Sequence, residues 1–116
     1  MLTARLTSAN CLEWLERYAG QQRFGLIFLD PPSFSSSKRM QGTFDVQRDH
    51  VRLIKTTVRL LAPDGVLIFS NNRRRFSMDR AALDGLNIED ISRATLPKDF
   101  ERNPRIHNCW RITRPA

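Results

Sequence analysis

Cysteine, glycine and long apolar runs are all scarce in this chain of 116 residues. Its two cysteines, Cys11 and Cys109, supply neither a disulfide framework nor a metal-ligand cluster, which excludes a small cross-linked fold or a zinc knuckle and leaves no metal expected. Two isolated thiols fit a reducing compartment, so a cytoplasmic location is expected. No apolar stretch approaches the roughly 20 residues that cross a bilayer, and Met1-Leu-Thr-Ala-Arg5 has no signal-peptide pattern, so no membrane partner is expected. Five glycines are present and none falls in a Gly-x-Gly-x-x-Gly turn. The usual phosphate-cradling fingerprint is therefore missing.

Acidic residues are also in deficit. Nineteen Lys and Arg against twelve Asp and Glu give a formal charge of +7 and a pI near 10.7. That is the range in which a polyanionic partner is expected, although charge alone leaves a merely basic soluble protein equally open. The excess is spread: residues 1–58 hold 8 basic and 5 acidic groups, residues 59–116 hold 11 and 7, so no basic tail carries it. The length allows one domain of modest core.

The chain is organised around Phe24-Gly-Leu-Ile-Phe-Leu-Asp-Pro-Pro-Ser-Phe34. Leu26 to Leu29 form a continuous apolar run, the pattern of a strand covered on both faces. Asp30 breaks the run, and Pro31 and Pro32 follow at once. Proline has no N–H for a ladder and holds φ near −65°, so the strand must stop there. Each proline also pushes the residue before it into extended geometry. The result is a rigid lip at the carboxyl end of a strand, the edge at which open α/β sheets bind ligands.

Around that strand the pattern alternates. Arg5–Ala9 reads as a short strand, and Asn10, with Glu13 three residues on, reads as the cap of a helix ending at Gly20. Ser33 to Gly42 lacks periodicity and reads as a loop. Phe44 to Leu61 reads as a helix, with Val51, Ile54, Val58 and Leu61 on one face and Arg48, Arg52, Lys55 and Arg59 on the other. A charged helix face of this kind is ordinarily just solvated. Ala62-Pro-Asp-Gly65 reads as a turn and Val66–Ser70 as a second buried strand, with Asn71 and Asn72 at the same sheet edge as Asp30. Ser77–Leu83 reads as a short helix. Asn87–Thr95 and Ile106–Thr113 read as a closing antiparallel pair. Strands separated by helices predict a mostly parallel α/β sheet.

Four segments carry a resemblance: Asp30-Pro-Pro-Ser-Phe-Ser-Ser-Ser-Lys-Arg-Met40, Phe44-Asp-Val-Gln-Arg-Asp-His50, Phe69-Ser-Asn-Asn72 and Asp99-Phe-Glu-Arg-Asn-Pro-Arg-Ile-His-Asn-Cys-Trp110. In this order they resemble the carboxyl-terminal end of the bacterial bifunctional 23S rRNA guanine methyltransferases. Asp-Pro-Pro-x-aromatic is itself similar to the motif of S-adenosylmethionine-dependent methyltransferases acting on nucleic-acid bases. The resemblance implies a fold class: residues 1–116 form one partial domain, the carboxyl-terminal portion of a Rossmann-like methyltransferase sheet, with its first strands and glycine-rich cofactor segment absent. In that family these features hold the methionine and ribose of the cofactor, so the isolated chain is expected to be inactive. With its neighbours missing, the strand carrying Asp30 would have an open edge, and either a homodimer or a rearranged amino-terminal segment is expected.

The resemblance further implies S-adenosyl-L-methionine as cofactor, 23S rRNA or its assembly intermediate as partner, and methylation of guanine N7. Asp30, Pro31 and Phe34 are the expected catalytic residues. Asn10 and Asp30 are the cofactor contacts. Pro32, Ser33, Lys38, Arg39, Asn71, Asn72, Arg73, Arg74 and Arg75 are the RNA contacts, with Lys38 and Arg39 on a lid spanning Ser33–Gly42. The Phe44–His50 segment is expected to anchor this loop against the following helix, not to do chemistry. Cytosine C5 methylation needs a cysteine nucleophile, and neither cysteine sits beside Asp30 or after Ser70. Methylation of an exocyclic amine of an RNA or DNA base stays open, as does a non-catalytic basic fragment that binds RNA or itself.

Overall fold

The computed structural model describes residues 3–6, 14–15, 17–18, 23–32, 34–37, 42–92 and 108–115. They form strands β1 (Thr3–Leu6), β2 (Phe24–Leu29), β3 (Phe34–Ser37) and β4 (Gly42–Asp45), helix α1 (Val46–Val58), then β5 (Leu61–Asn71), β6 (Asn87–Asp90) and β7 (Asn108–Thr113). Five strands make one sheet in the order β1-β2-β5-β7-β6. β1, β2 and β5 run parallel; β7 runs antiparallel to both β5 and β6. The mostly parallel sheet with a closing antiparallel pair is therefore present.

β2 is held on both sides. Leu26–Leu29 pair with Val66–Phe69 of β5, and the same four residues pair with Thr3–Leu6 of β1. The expected open edge beside Asp30 is thus not open: the amino-terminal segment has taken it. The outer edge passes to β1, only four residues long and carrying exposed Arg5. A short, charged edge discourages pairing with a second chain, so the basis for a homodimer through β2 is removed.

The core lies on one face of the sheet. Ile27, Leu29, Leu67, Phe69 and Ile112 are fully buried, together with Leu53 and Ile54 of α1, and α1 packs on β5. On the alternate positions Leu26, Phe28, Val66 and Ile68 are only half-buried. The apolar run was expected to be covered on both faces; the described residues cover one.

Three further expectations change. Ala62–Gly65 belongs to β5, but the register jumps from Phe24↔Leu61 to Leu26↔Val66, so these residues bulge out of the ladder and bend the strand much as a turn would. Gly65 is required there, because a Cβ would lie 2.8 Å from the Phe24 carbonyl oxygen. Residues 77–83 form successive turns, not a helix: Leu83 N–H bonds Arg80 C=O and Leu86 N–H bonds Leu83 C=O, and Gly85 at φ +94° directs the chain into β6. The segment read as a periodicity-free loop contains a hairpin, with Phe34↔Asp45, Ser35↔Phe44, Ser36↔Thr43 and Ser37↔Gly42 paired. Phe44 therefore lies in a strand that ends at Asp45, and the helix starts at Val46.

Candidate active site

The carboxyl ends of β1, β2 and β5 converge where the sequence placed the ligand edge. Asp30 N–H donates to the Leu6 carbonyl at 2.8 Å, so the lip is tied to β1 as it leaves the sheet. Pro31 is buried and Pro32 half-buried. The Asp30 side chain is exposed, and a cleft of about 180 Å³ opens beside it, lined by Arg5, Phe28, Leu29, Asp30, Ile68 and Ser70. Arg5 lies over the Phe28 ring at 5.1 Å, so its guanidinium roofs the apolar floor a few ångströms from the carboxylate's strand. Phe34, first residue of β3, is 61 % exposed.

The other wall is the segment after β5. Asn71 is buried, and its Oδ1 accepts from Arg73 N–H at 3.0 Å and from Asn108 Nδ2 at 2.9 Å. Asn108 Nδ2 also donates to the Arg73 carbonyl at 2.9 Å. Asn71 thus shapes the turn from inside, while Ile68 and its neighbour Ser70 are the residues of β5 that line the cleft. Asn71 Nδ2 is buried and has no partner among the described residues. Asn72, Arg74 and Arg75 are exposed. Arg73 turns back toward α1, 3.5 Å from Gln47 Oε1 and 4.0 Å from the Asp45 carboxylate. Arg75 sits at φ 59°, left-handed backbone that a non-glycine residue seldom takes. Asn10, Ser33, Lys38 and Arg39 lie outside the described residues.

This wall is clamped by α1. The helix is capped by Asp45, whose carboxylate accepts from Gln47 N–H and Arg48 N–H. Asp49 returns the bond, accepting from Asp45 N–H at 3.0 Å, and Arg48 grips Asp49 and donates to the Thr43 carbonyl at 2.6 Å, tying the hairpin to the helix. Gln47 reads the backbone of Ser77 in both directions, at 2.9 Å each way. His50, buried, accepts from Asp79 N–H through Nε2 at 3.1 Å; because a backbone amide only donates, Nδ1 carries the proton and donates to the Gln47 carbonyl at 2.9 Å. The Phe44–His50 segment was expected to anchor the Ser33–Gly42 loop; its Arg48 bonds the carbonyl of Thr43, the residue just after that loop. It also anchors the arginine segment through Gln47 and His50, which spacing alone did not reveal.

The Arg48 hydrogen bond, more than any other group, holds the Asp49 carboxyl below its ordinary value of 3.8. A depressed folded-state value means the carboxylate contributes stability above the unfolded value and loses it as pH falls through the folded one. Asp49→Asn is therefore expected to cost about 0.5–1 kcal/mol at pH 7, with the gap to the parent chain closing below pH 3.8. Urea melts at the two pH values measure it; a gap that persists in acid would show that the charge is irrelevant.

The comparisons bear on the same four segments. The chain is 62% identical over 111 residues to the ribosomal RNA large subunit methyltransferase K/L of Allochromatium vinosum, with 96% of the chain matched. It is 64% identical over 108 residues to that of Methylococcus capsulatus, and 59% identical over 107 residues to that of Vibrio cholerae. Over most of its length the chain is a high-identity homologue of these K/L methyltransferases. It spans about 15% of the length of these relatives. No family model matches it. Among solved structures, SMU.776, a methyltransferase complexed with SAH, superposes with a TM-score of 0.60 at 20% identity, over 89% of this chain and 29% of that one. A SAM-dependent methyltransferase from Agrobacterium tumefaciens gives 0.53 at 14% identity, over 93% and 38%. At such identities the likeness is one of fold alone: the sheet is similar to the sheets of these methyltransferases.

Within this chain, Arg5, Ser70 and Gln47 are the site residues that sequence reasoning passed over. Only Gln47 had a local signal, its place in the Phe44–His50 segment. Arg5 reaches the cleft solely because β1 pairs with β2.

Proposed function

We propose that this chain forms the base-binding part of an S-adenosylmethionine-dependent enzyme that methylates guanine N7 in large-subunit rRNA. The observation that carries the reading is the Asp-Pro-Pro lip at the end of an inner parallel strand, with an open carboxylate and an exposed ring four residues apart. The names of the curated relatives supply the substrate class, and the N7 position comes from the resemblance of the four segments.

The described residues fit the cofactor only in part. Its methionine ammonium suits a carboxylate such as Asp30, yet the cleft of about 180 Å³ is smaller than the roughly 300–1,000 Å³ of ordinary ligand sites. No second acidic side chain lines it to take a ribose. These residues therefore form one wall of a cofactor site. S-adenosylmethionine would supply an activated methyl group there, and the Asp30 carboxylate would hold its ammonium.

The rest of the work assigned to this chain is positioning. Guanine N7 carries no proton, so no general base is needed, and alignment of the reactants supplies most of the rate. The Asp30 carboxylate and the Pro31 carbonyl accept from the base N–H groups. Phe34 stacks on a base withdrawn from its helix, a contact worth about 1–3 kcal/mol. Asn72, Arg74 and Arg75 face the phosphates from the opposite wall; Pro32, Ser33, Lys38 and Arg39 complete the RNA contacts on the near side, and Asn10 the cofactor contacts.

The test replaces the matched 111 residues of the Allochromatium vinosum relative by this chain and quantifies methylated nucleosides in 23S rRNA by mass spectrometry. N7-methylguanosine formed by the hybrid supports the reading. A hybrid that folds and binds S-adenosylhomocysteine but forms only an exocyclic N-methyl base refutes the N7 assignment.

A further inference from the structure

The amino edge of the sheet, opposite the Asp30 lip, carries a notch that the candidate active site does not use. It measures about 230 Å³ and is lined by Lys55, Val58, Arg59, Leu83, Asp84 and Leu86. Backbone pairing sets its place in the fold. Leu60, just after the α1 cap, accepts from Phe24 N–H at 2.8 Å, and Phe24 opens β2 while Asp30 follows its end. The six residues of β2 therefore separate this end of the helix from the lip, about 20 Å at the usual rise of a strand. Asn87, next to Leu86, pairs with Thr113, which pairs in turn with Val66 in β5, so the other wall of the notch lies at the same edge.

Floor and rim differ in chemistry. Val58 and Leu83 belong to the core and Leu86 packs against it, so the floor is apolar and fixed. Its outer side is held by Leu83 N–H to Arg80 C=O and Leu86 N–H to Leu83 C=O. Lys55 and Arg59 stand at i and i+4, on the same side of the helix, and both are exposed. A cation near a helix C-terminus complements the helix dipole wherever it points; here both line one apolar hollow. Asp84 supplies a carboxylate on the rim. Among the described residues, the side chains of Lys55, Arg59 and Asp84 enter no ion pair or hydrogen bond.

This combination fits one nucleotide. A notch of about 230 Å³ is smaller than the roughly 300–1,000 Å³ that hold a whole small molecule, and its flat apolar floor takes a single ring. The cations take the phosphate. An ionised carboxylate only accepts, so Asp84 selects a base that offers paired donors. Guanine does so through N1–H and the N2 amine, whereas cytosine, adenine and uracil each set a donor beside an acceptor. An acidic peptide is the poorer occupant, because its carboxylates would meet Asp84.

We infer that the notch at Lys55, Arg59 and Asp84 is a second RNA subsite, which holds an unstacked guanosine and its phosphate several nucleotides away from the base at Asp30. The inference rests on the reading that RNA is the substrate.

The test is an NMR titration of the isotope-labelled 116-residue chain with guanosine 5′-monophosphate. The Leu83 and Leu86 methyl signals are expected to shift, and cytidine 5′-monophosphate is expected to bind about fivefold or more weakly, the lower end of what a paired contact to a base edge discriminates. Asp84→Asn is expected to abolish that preference. K55Q/R59Q is expected to weaken guanosine 5′-monophosphate about tenfold, with guanosine itself bound as before and the melting curve unchanged. If the double variant melts early, the preference lost in Asp84→Asn decides the matter. Equal binding of the two nucleotides by the parent chain, shifts confined to Phe28 and Ile68 at the Asp30 cleft, or no shift at all overturns the subsite. So does a hexaglutamate peptide that shifts Leu83 and Leu86 as strongly as the nucleotide. No methylation enters this experiment. A hybrid that forms N7-methylguanosine while the notch takes no guanylate sinks the subsite alone, and a notch that takes guanylate beside a hybrid that methylates only exocyclic nitrogens sinks the N7 reading alone.

Discussion

Asp30→Asn in the hybrid enzyme is expected to lower kcat/KM for rRNA methylation about 10²- to 10³-fold, the range seen when one preorganised polar contact to a reacting centre is lost. The substitution keeps shape and one acceptor oxygen and removes the charge. Among the described residues the Asp30 carboxylate accepts no hydrogen bond, and its exposed position means that no core packing depends on it. The strand end is held instead by the backbone, through Asp30 N–H to Leu6 C=O. Stability should therefore stay within about 0.5 kcal/mol of the parent chain. Parent-like methylation by a hybrid carrying Asp30→Asn would remove Asp30 from the site. A collapse of both activity and melting temperature would recast it as a structural residue.

Much of this architecture was legible because punctuation in the sequence is local. Two prolines after an apolar run end β2 and place the carboxylate, whatever the rest of the chain does. The i, i+3, i+7 pattern from Val51 finds α1, and the pairing of β6 with β7 follows from their closing position. What stayed hidden depends on partners distant in sequence. The hairpin β3–β4 could not be read from Ser35 to Ser37, since serine has no strand preference of its own and the pairing is settled by Phe44 and Thr43 across the turn. The placement of β1 against β2 rests on Ala4 and Leu6 packing against the core, a choice between competing strands that a four-residue segment does not announce.

The site divides the same way. The Asp-Pro-Pro lip and Phe34 are one continuous stretch, and the sequence located both. Three adjacent arginines looked like one phosphate-facing patch, yet the structure splits them: Arg73 is turned to Asp45 and Gln47, and Arg74 and Arg75 remain exposed. Asn71 and Asn72 looked equivalent, yet the structure buries the first as the organiser of the turn and exposes the second. In each case the end of β5 at Asn71 decides the outcome: the residues beyond it follow a turn held by the Asn71 and Asn108 side chains, not strand alternation.

One substitution tests how far His50 holds the segment that follows the arginines against the helix. His50→Ala removes a buried imidazole from contact with Phe76, whose ring lies 4.9 Å away edge-on, and deletes the bonds to Gln47 C=O and Asp79 N–H. Cavity and lost hydrogen bonds together are expected to cost about 3 kcal/mol, a large share of the roughly 5–15 kcal/mol available to a domain of this size. His50→Gln restores an amide able to donate and accept and should recover part of the loss. The distinguishing readout is amide hydrogen exchange. Loss confined to global stability speeds every core amide alike, while release of the clamp speeds Ser77 and Asp79 first, before Phe69 and Ile112. Uniform acceleration would mean that His50 merely fills space.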